Sequence, residues 1–279
     1  MSEYSLIAHP SSLISKYGLA TKKSLGQHFL LDENICANIA ALAGDVREHT
    51  IIEIGPGPGG LTRALLQAGA KHVIAVETDP RCVEALQELV AASDGRLSVQ
   101  HADALKISLP TLCPGPRKIV SNLPYNVGTA LFTRWLDDGY AQPGSYASMT
   151  LMFQQEVAGR IAAPPGGKDY GRLSVISQWL SEITPHFVLP PGAFSPPPKV
   201  HSAVISVVPR AQPAYPADKK TLERVLAAGF NQRRKMLRAA LKSISQQPQA
   251  LLASAGIDET RRAETLSVEE WCVLARKLA

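Results

Sequence analysis

The sequence predicts an α/β fold in which a mainly parallel β-sheet is followed by a small, separate helical part. Apolar, β-branched runs alternate with segments of helical apolar spacing over the first three quarters of the chain, which is the pattern of βαβ units with right-handed crossovers. The first clear run ends in a cluster of glycines. After the alanine- and proline-rich stretch 209–216 only helical spacing remains, because proline and alanine there interrupt both periods.

The N-terminal residues 1–24 have no clear period, and we expect them to form a partly ordered arm. This arm ends in a basic stretch containing Lys22 and Lys23. The helix that follows should begin at Asp32, a residue type that caps helix N-termini. Its buried face would then carry Ile35, Ile39 and Leu42.

The stretch 50–61, TIIEIGPGPGGL, predicts a strand, a tight turn and a helix start. Glycines are needed there because the turn requires unusual backbone angles and because a ligand can then touch the backbone. Gly55, Gly57 and Gly60 satisfy the dinucleotide fingerprint G-x-G-x-x-G, with Glu77 downstream. The turn alone is equally compatible with NAD and with S-adenosylmethionine, which also has a ribose but no pyrophosphate.

The remaining elements follow in chain order. We expect strands at 72–76, 97–101, 118–121, 148–153, 184–189 and 200–208, of which the last two could pair antiparallel. We expect helices at 80–91, after the fourth of these strands to about Trp135, around Val157 and Ile161, and at 173–180, 219–245, 250–255 and 268–278. The domain organisation predicted from this pattern is an arm at 1–24, a sheet domain at 25–209 and a helical domain at 210–279.

Composition bounds the class of protein. The 279 residues are 45% hydrophobic, enough for a packed core. There is no apolar run of the length that a membrane span needs and no signal-peptide pattern, so we expect a cytoplasmic protein without a membrane partner. The four cysteines lack a C-x-x-C pair and the seven histidines lack ligand spacing, so we expect no metal.

The net charge of +5 is unevenly placed. From Arg210 onward there are 13 Lys and Arg against 7 Asp and Glu. Such a basic excess is compatible with a polyanionic partner, although a solvated helical surface also explains it.

Three polar residues, Glu77, Asp103 and Asn122, come just past the ends of three consecutive predicted strands. The carboxyl ends of the strands in an open α/β sheet form the edge where ligands bind. Asp and Asn at such positions often only cap helices, but three in succession beside a glycine turn predict a binding site.

The tetrapeptide Asn122-Leu123-Pro124-Tyr125 distinguishes the two cofactors. It suits methylation of the exocyclic amine of a flat base, because hydrogen bonds from that amine to the Asn122 oxygen and to a main-chain carbonyl of Leu123-Pro124 would free its delocalised lone pair. Pro124 would stiffen the loop, and Tyr125 and Phe194 would stack on the base. Hydride transfer has no use for these residues. We therefore expect direct in-line methyl transfer that depends on positioning and polar stabilisation.

The chain resembles the adenine-N6 dimethyltransferases of small-subunit ribosomal RNA, the bacterial KsgA/RsmA type. The matching motifs are LGQHFLLD (25–32), IEIGPGPGGLT (52–62), DAL (103–105), NLPYNVGTALF (122–132), QQEVAGRI (154–161), YGRLSV (170–175), FSPPPKVHSAV (194–204) and FNQRRKMLRAAL (230–241). The resemblance implies a Rossmann-like, seven-stranded class I methyltransferase sheet with a small C-terminal all-helical domain. It also implies that four molecules of S-adenosylmethionine convert two adjacent adenosines near the 3′ end of 16S rRNA to N6,N6-dimethyladenosine.

The resemblance also implies roles for particular residues. Glu77 would bind the ribose hydroxyls, Asp103 the adenine amine, and Asn122 would lie near the methyl group. Tyr125 and Phe194 would sandwich the target base. The other cofactor contacts would come from His28, Leu30, Gly55 and Gly57; many members have Asn in place of His28.

A basic helix within 219–245 predicts the contact with RNA. Arg234, Arg238 and Lys242 recur at four-residue steps on the outward face of this helix. The adjacent Arg233-Arg234-Lys235 has few nearby acids to pair with. Phosphate contacts need such a presentation. The predicted RNA-binding residues are Lys22, Lys23, Arg233, Arg234, Lys235 and Arg238.

The predicted partner is 16S rRNA within the small ribosomal subunit or its precursor, bound by a monomeric enzyme. Three alternatives stay open at this point. They are a large-subunit rRNA adenine methylase of the resistance type, an RNA-binding assembly or transcription factor that lost turnover, and an NAD oxidoreductase.

Overall fold

A computed structural model describes residues 9–19, 27–115 and 117–278. Its α-helices are α1 (Pro10–Lys16), α2 (Glu33–Leu42), α3 (Gly60–Gln67), α4 (Pro80–Ala91), α5 (Gly128–Ala141), α6 (Gln155–Ala162), α7 (Arg172–Leu180), α8 (Lys219–Asn231), α9 (Leu237–Ala240), α10 (Pro248–Ser254) and α11 (Val268–Leu278). Its strands are β1 (Phe29–Leu30), β2 (Thr50–Ile54), β3 (His72–Glu77), β4 (Leu97–His101), β5 (Arg117–Asn122), β6 (Ser148–Gln154), β7 (Ser181–Leu189), β8 (Phe194–Ser195) and β9 (Ser202–Pro209).

The main sheet has seven strands in the order β4-β3-β2-β5-β6-β9-β7. The pairs β4–β3, β3–β2, β2–β5 and β5–β6 are parallel, and β9 runs antiparallel to β6. The predicted α/β class and its parallel sheet are therefore confirmed. β4 lies at the edge of the sheet beyond β3, and the chain then crosses to β5 on the other side of β2. The strand order therefore reverses between β2 and β5, and ligands bind at such a point in sheets of this kind.

The β2 strand is central and buried. Ile51 and Ile52 are fully buried, as expected for a strand that is covered on both faces of a parallel sheet. The turn after it depends on glycine at two points. Gly57 has φ +55°, and a Cβ there would lie 2.8 Å from the Phe29 ring. A Cβ on Gly60 would collide with the carbonyl oxygen of Leu30, so the N-terminal motif packs directly on this turn.

A second, two-stranded sheet joins distant parts of the chain. β1 pairs antiparallel with β8, so that Phe29 faces Ser195 and Leu30 faces Phe194. This small sheet was absent from the sequence expectations, because two-residue strands carry no periodicity. It fixes the N-terminal motif against the FSPPPK segment.

The chain divides into two compact units, Met1–Ala158 with Thr184–Pro209, and Gly159–Ile183 with Arg210–Ala279. The boundary after Pro209 coincides with the predicted one, whereas residues 159–183 group with the C-terminal residues. The segment 210–216, expected to be a linker, has no helix or strand. It is nevertheless tied to α7 by the amides of Arg210 and Ala214, which donate to the carbonyls of Leu180 and Trp179 at 2.9 and 2.8 Å.

The core of the second unit contains the fully buried Trp271, whose ring lies 5.4 Å from that of Phe230. Tyr170 meets Phe230 edge to face at 6.1 Å. α8, α11 and the segment just before α7 thus share one aromatic cluster.

The prediction of one continuous helix over 219–245 is wrong. α8 ends at Asn231, and residues 232–236 form a turn before the short α9. The backbone is diverted because the amides of Leu237 and Arg238 donate to the carbonyls of Arg261 and Glu259 at 2.8 and 3.1 Å. These two amides therefore do not donate to the carbonyls four residues earlier, as a continuous helix would require. Tertiary contacts override helix propensity here.

The N-terminal arm carries a helix, α1. Lys16 and Tyr17 both donate to the Glu88 carboxylate of α4, at 2.6 and 2.7 Å, and Leu19 is buried. Lys22 and Lys23 lie outside the described residues. Among the residues that the structure describes, no helix has the length and apolarity needed to cross a membrane.

Candidate active site

A cavity of about 380 Å³ opens at the carboxyl ends of the central strands. This volume is within the range of small-molecule sites, roughly 300–1,000 Å³. Its wall includes the glycine turn, Glu77, Asp103 and the Asn122-Leu123-Pro124-Tyr125 tetrapeptide, together with His28 and Leu30. The cavity therefore brings together all of the predicted catalytic and cofactor-binding residues except Phe194.

Glu77 is fixed by main-chain donors. Its Oε1 accepts hydrogen bonds from the amides of Thr78 and Asp79 at 2.7 and 2.8 Å, and its Oε2 accepts one from Gly57 at 3.2 Å. Burial raises the pKa of this carboxyl, and the three amides oppose the rise. Since a carboxylate offers about four acceptor positions, Oε2 retains capacity for a further donor such as a hydroxyl.

The cavity is electrostatically suited to a cation. Its described lining residues include the carboxylates of Glu77 and Asp103 and the buried carboxyl group of Glu53, but no Lys or Arg. Glu53 is 2% exposed, accepts a hydrogen bond from Thr62 Oγ1 at 2.6 Å, and has a pKa raised by burial to about 8. A pyrophosphate would meet unfavourable charge here, whereas a sulfonium and an ammonium would be attracted. This arrangement favours S-adenosylmethionine over NAD.

The Asn122 side chain is oriented by one hydrogen bond. Its Nδ2 donates to the carbonyl of His28 at 3.1 Å, and its Oδ1 accepts no hydrogen bond from any described residue. The carbonyl of Pro124 accepts from the amides of Val127 and Gly128 at 3.2 and 2.9 Å. The sequence offered the carbonyls of Leu123 and Pro124 as main-chain acceptors. Because the Pro124 carbonyl accepts hydrogen bonds at the start of α5, the Leu123 carbonyl is the one that is not used there.

Tyr125 is held at its hydroxyl, which lies 2.5 Å from Ser202 Oγ. Burial raises the pKa of Tyr125, so its hydroxyl is neutral at physiological pH. One side of its ring lies against His28, with a centroid distance of 5.4 Å and an interplanar angle of 33°. The ring is a fixed aromatic platform in the cavity wall.

Phe194 does not line the cavity, although the sequence placed it beside the target base. Its side chain is 5% exposed and packs in the core cluster that contains Leu30, Cys36 and Val204. The physical reason is the β1–β8 pairing, which sets Phe194 opposite Leu30.

The remaining predicted contacts occupy local turns. Asp103 Oδ1 accepts from the amide of Leu105 at 2.9 Å, and its Oδ2 lies 3.8 Å from Lys106 Nζ. Gly55, with φ +67°, approaches Pro124 so closely that a Cβ would be 3.3 Å from its Cγ. The glycine turn and the tetrapeptide are thus in direct contact.

The predicted RNA-binding cations in the second unit fall into two groups. Arg233 donates to the Gly167 carbonyl at 3.1 Å and lies 3.8 Å from Glu264, and Arg238 donates to Glu259 at 2.8 Å. The expectation that few acids lie near Arg233-Arg234-Lys235 is therefore wrong for Arg233. Arg234 and Lys235 are exposed and make no ion pair with any described residue.

Several residues of the site were missed from sequence. Glu53 could have been found, since a carboxylate inside an apolar strand is itself a signal. Asp79 accepts from Gln27 Nε2 at 3.1 Å and from Arg81 Nη2 at 2.6 Å, and Arg81 lowers the pKa of Asp79 to about 2. Ser202 had no signal in the sequence.

The fold and the cavity together define a class I methyltransferase. The crystal structure of the 23S rRNA methyltransferase ErmE is similar, with a TM-score of 0.69 and 26% identity, and the match covers 90% of this chain and 99% of that one. The chain belongs to the ribosomal RNA adenine dimethylase family, whose model matches residues 18–279.

Two curated relatives are more similar in sequence. The ribosomal RNA small subunit methyltransferase A of Paracoccus denitrificans is 56% identical over 268 residues, covering 96% of this chain and 94% of that protein. Its namesake in Cereibacter sphaeroides is 54% identical over 267 residues, covering 96% and 95%. The sequence resemblance to this family is thereby confirmed.

Proposed function

We propose that this protein transfers methyl groups from S-adenosylmethionine to N6 of two adjacent adenosines near the 3′ end of 16S rRNA, giving N6,N6-dimethyladenosines during small-subunit biogenesis. The small-subunit relatives, at 54–56% identity, support this substrate over the large subunit, whose methyltransferase ErmE is 26% identical. The observation that carries the chemistry is the orientation of Asn122, whose amide nitrogen is engaged and whose oxygen is available.

The donor would be held by the glycine turn and the carboxylates. Glu77 would accept from the ribose hydroxyls and Asp103 from the adenine amine. His28, Leu30, Gly55 and Gly57 would line the donor. When bound, the donor supplies an electrophilic methyl group on a positively charged sulfur, and the carboxylate-rich, Lys- and Arg-free wall suits that charge.

The acceptor amine would be activated by two carbonyl-type oxygens. Asn122 Oδ1 and the Leu123 carbonyl would accept its two N–H groups and draw the nitrogen towards tetrahedral geometry, so that its lone pair becomes available. Tyr125 would support the base by stacking, which contributes about 1–3 kcal/mol per base in nucleic-acid sites. The methylated amine is acidic enough to lose its proton to water or to a carbonyl, so the proposed step requires neither a strong base nor a metal.

The RNA would be bound through phosphate contacts on the second unit. Arg234 and Lys235 are the exposed cations of the turn after α8. Two contacts place further exposed cations, Lys168 and Arg262, beside this turn. Arg233 reaches the carbonyl of Gly167, which precedes Lys168, and Met236 pairs with Arg262. We include Lys22 and Lys23 as contacts from the N-terminal arm.

We further propose that the enzyme is a cytoplasmic monomer that acts on the small ribosomal subunit or its precursor, because the substrate itself is found there. Residues 25–209 would form the methyltransferase domain and residues 210–279 the ribosome-binding part.

The test uses small subunits isolated from cells that lack this protein. Purified protein and donor should add four methyl groups per particle, and mass mapping should place them on two neighbouring adenosines. Binding without methylation would instead support the alternative, a non-catalytic assembly factor on the same fold. Methylation of large-subunit RNA only would overturn the substrate assignment.

A further inference from the structure

His28 connects three parts of the candidate active site. Its carbonyl accepts from Asn122 Nδ2 at 3.1 Å. Its ring Nδ1 donates to the carbonyl of Pro196 at 2.9 Å, and since a carbonyl has no proton to give, Nδ1 carries the hydrogen. Its ring also lies against Tyr125. The backbone of His28 is thus tied to Asn122, and its side chain to the FSPPPK segment.

Tyr125 cannot easily retreat from the His28 ring. Its hydroxyl lies 2.5 Å from Oγ of the fully buried Ser202 at the start of β9. The separation of the two rings therefore measures the space available on this side of Tyr125.

That space is too small for a base. A flat base between two rings needs about 3.5 Å on each side, or about 7 Å between the outer rings. The His28 and Tyr125 centroids are 5.4 Å apart and the rings are tilted by 33°. A base can therefore stack on this face of Tyr125 only if the imidazole leaves it.

The backbone of His28 can stay in place while the ring leaves. The side chain of the adjacent Gln27 donates to Asp79 at 3.1 Å, and the main chain of the adjacent Phe29 pairs with Ser195. Both neighbours of His28 are therefore held in place. Within the described residues, the ring makes a single hydrogen bond, to the Pro196 carbonyl. Rotation about the side-chain bonds breaks this bond without moving Asn122.

We propose that the His28 imidazole covers the stacking face of Tyr125 in the ligand-free protein and is displaced by the target adenine. His28 is then a specificity-determining residue on the acceptor side, beyond its main-chain role near the donor. This inference rests on the proposed function, since it assumes that a base enters this cavity. Its consequence is that weakly stacking bases gain entry less readily than adenine, because entry requires loss of the His28–Tyr125 contact.

The test compares three substitutions of His28 with wild type. His28→Ala removes the ring and the hydrogen bond, His28→Asn removes the ring but keeps a donor for Pro196, and His28→Phe keeps a ring over Tyr125. His186→Ala, which removes an exposed histidine bound to Ser206, is the matched control. Steady-state methylation of small subunits gives KM for RNA and kcat, and calorimetry gives Kd for S-adenosylmethionine.

We expect KM for RNA to fall about three- to tenfold in the Ala and Asn variants, the size of an aromatic contact. The Phe variant should have a KM at or above that of wild type, and His186→Ala should match wild type. Kd for the donor should change less than about twofold, because the main chain at residue 28 is retained.

Three results would overturn the inference. A higher KM for RNA in the Ala and Asn variants would make His28 part of the platform for the base. A fall in KM in Ala but not in Asn would assign the effect to the Pro196 hydrogen bond. A change confined to donor Kd, or no change at all, would leave the ring without an acceptor role. Failure of the proposed function is distinguishable, because wild type itself would then not methylate.

Discussion

The proposed role of Asn122 in methyl transfer depends on the hydrogen bond that its side-chain nitrogen already makes. An amide that is free to rotate presents its oxygen and its nitrogen to a ligand equally well. Here the nitrogen is engaged by the His28 carbonyl at 3.1 Å, which selects the oxygen as the group available to an incoming amine. The selection is made before the substrate binds, which is the preorganisation that catalysis by positioned dipoles requires.

Asn122→Ala should lower kcat by on the order of 10²–10³, the effect of removing one preorganised polar group. Donor Kd and thermal stability should stay close to wild type, because the residue lies at a strand end. Asn122→Asp is the control that keeps an acceptor oxygen while losing the donor to His28, and it should retain more activity than Ala. Turnover near wild type in the Ala variant would remove Asn122 from the mechanism.

In the proposed site, Glu77 would combine a structural role with a ligand role. Its carboxylate accepts three amide hydrogens, from Gly57, Thr78 and Asp79, so Glu77→Ala leaves these donors without a partner. We expect donor Kd to rise by at least about tenfold, with some loss of stability. Calorimetry of the folded variant measures this, and an unchanged Kd would count against a ribose contact.

Glu53 gives the donor site a dependence on pH. Burial raises the pKa of Glu53 to about 8, so the carboxyl is mostly protonated at neutral pH and ionises as the pH rises through that value. A cationic donor favours the ionised form, and binding should therefore release a proton below about pH 8 and become tighter as the pH rises.

The experiment is calorimetry of donor binding from about pH 6 to about pH 9 in buffers of different ionisation enthalpy. Glu53→Gln keeps the shape and a partner for Thr62 but cannot ionise, so its donor affinity should vary less with pH. An equal pH dependence in both proteins would show that Glu53 is not the titrating group.

The turn at 232–236 marks the limit of sequence reasoning at the scale of elements. The strands of the main sheet, the Asp32 cap, α4 and α11 follow from periodicity and capping and were predicted closely, whereas β1 and β8 were missed. The end of α8 at Asn231 was not, because Leu237 and Arg238 take partners from residues 259–261, a long-range contact that no local pattern contains. The placement of Phe194 failed for the same reason, since it depends on pairing with Leu30.

The turn also sharpens the expected effect of charge reversal. Arg234→Glu with Lys235→Glu should weaken binding to small subunits and reduce the salt dependence of binding, because each lost phosphate contact removes counterion release. Binding measured at several salt concentrations gives the slope. Stability should be unchanged, since both side chains are exposed.

Arg238→Glu is the matched comparison. This substitution places a carboxylate next to Glu259, which Arg238 now pairs with at 2.8 Å, and it should lower stability of the second unit without lowering the salt slope as much. If reversing the charges of Arg234 and Lys235 changed neither the affinity for small subunits nor its salt dependence, this exposed face would contact solvent and not RNA.

At the scale of the whole molecule, charge is sorted between the two units. The cavity of the first unit is lined by carboxylates without Lys or Arg among its described residues. The residues from Arg210 onward carry 13 Lys and Arg against 7 Asp and Glu. A cationic ligand and a polyanionic one would therefore be attracted to different parts of the chain.

This sorting predicts which small molecule stabilises the protein. S-adenosylmethionine should raise the melting temperature in a dose-dependent way, whereas NAD at the same concentration should have little effect. S-adenosylhomocysteine lacks the sulfonium charge, so its effect on the melting temperature, compared with that of S-adenosylmethionine, isolates the electrostatic contribution. Stabilisation by NAD alone would favour the oxidoreductase alternative.

The pairing of β1 with β8 has a consequence for biosynthesis. Leu30 is made early and Phe194 much later, yet the wall that carries His28 and packs on Gly60 depends on both. A nascent chain can form the first parallel strands while it is still being translated, but it cannot complete the methylation site until Ser195 has emerged. An N-terminal fragment that ends before Ser195 is therefore expected not to methylate RNA.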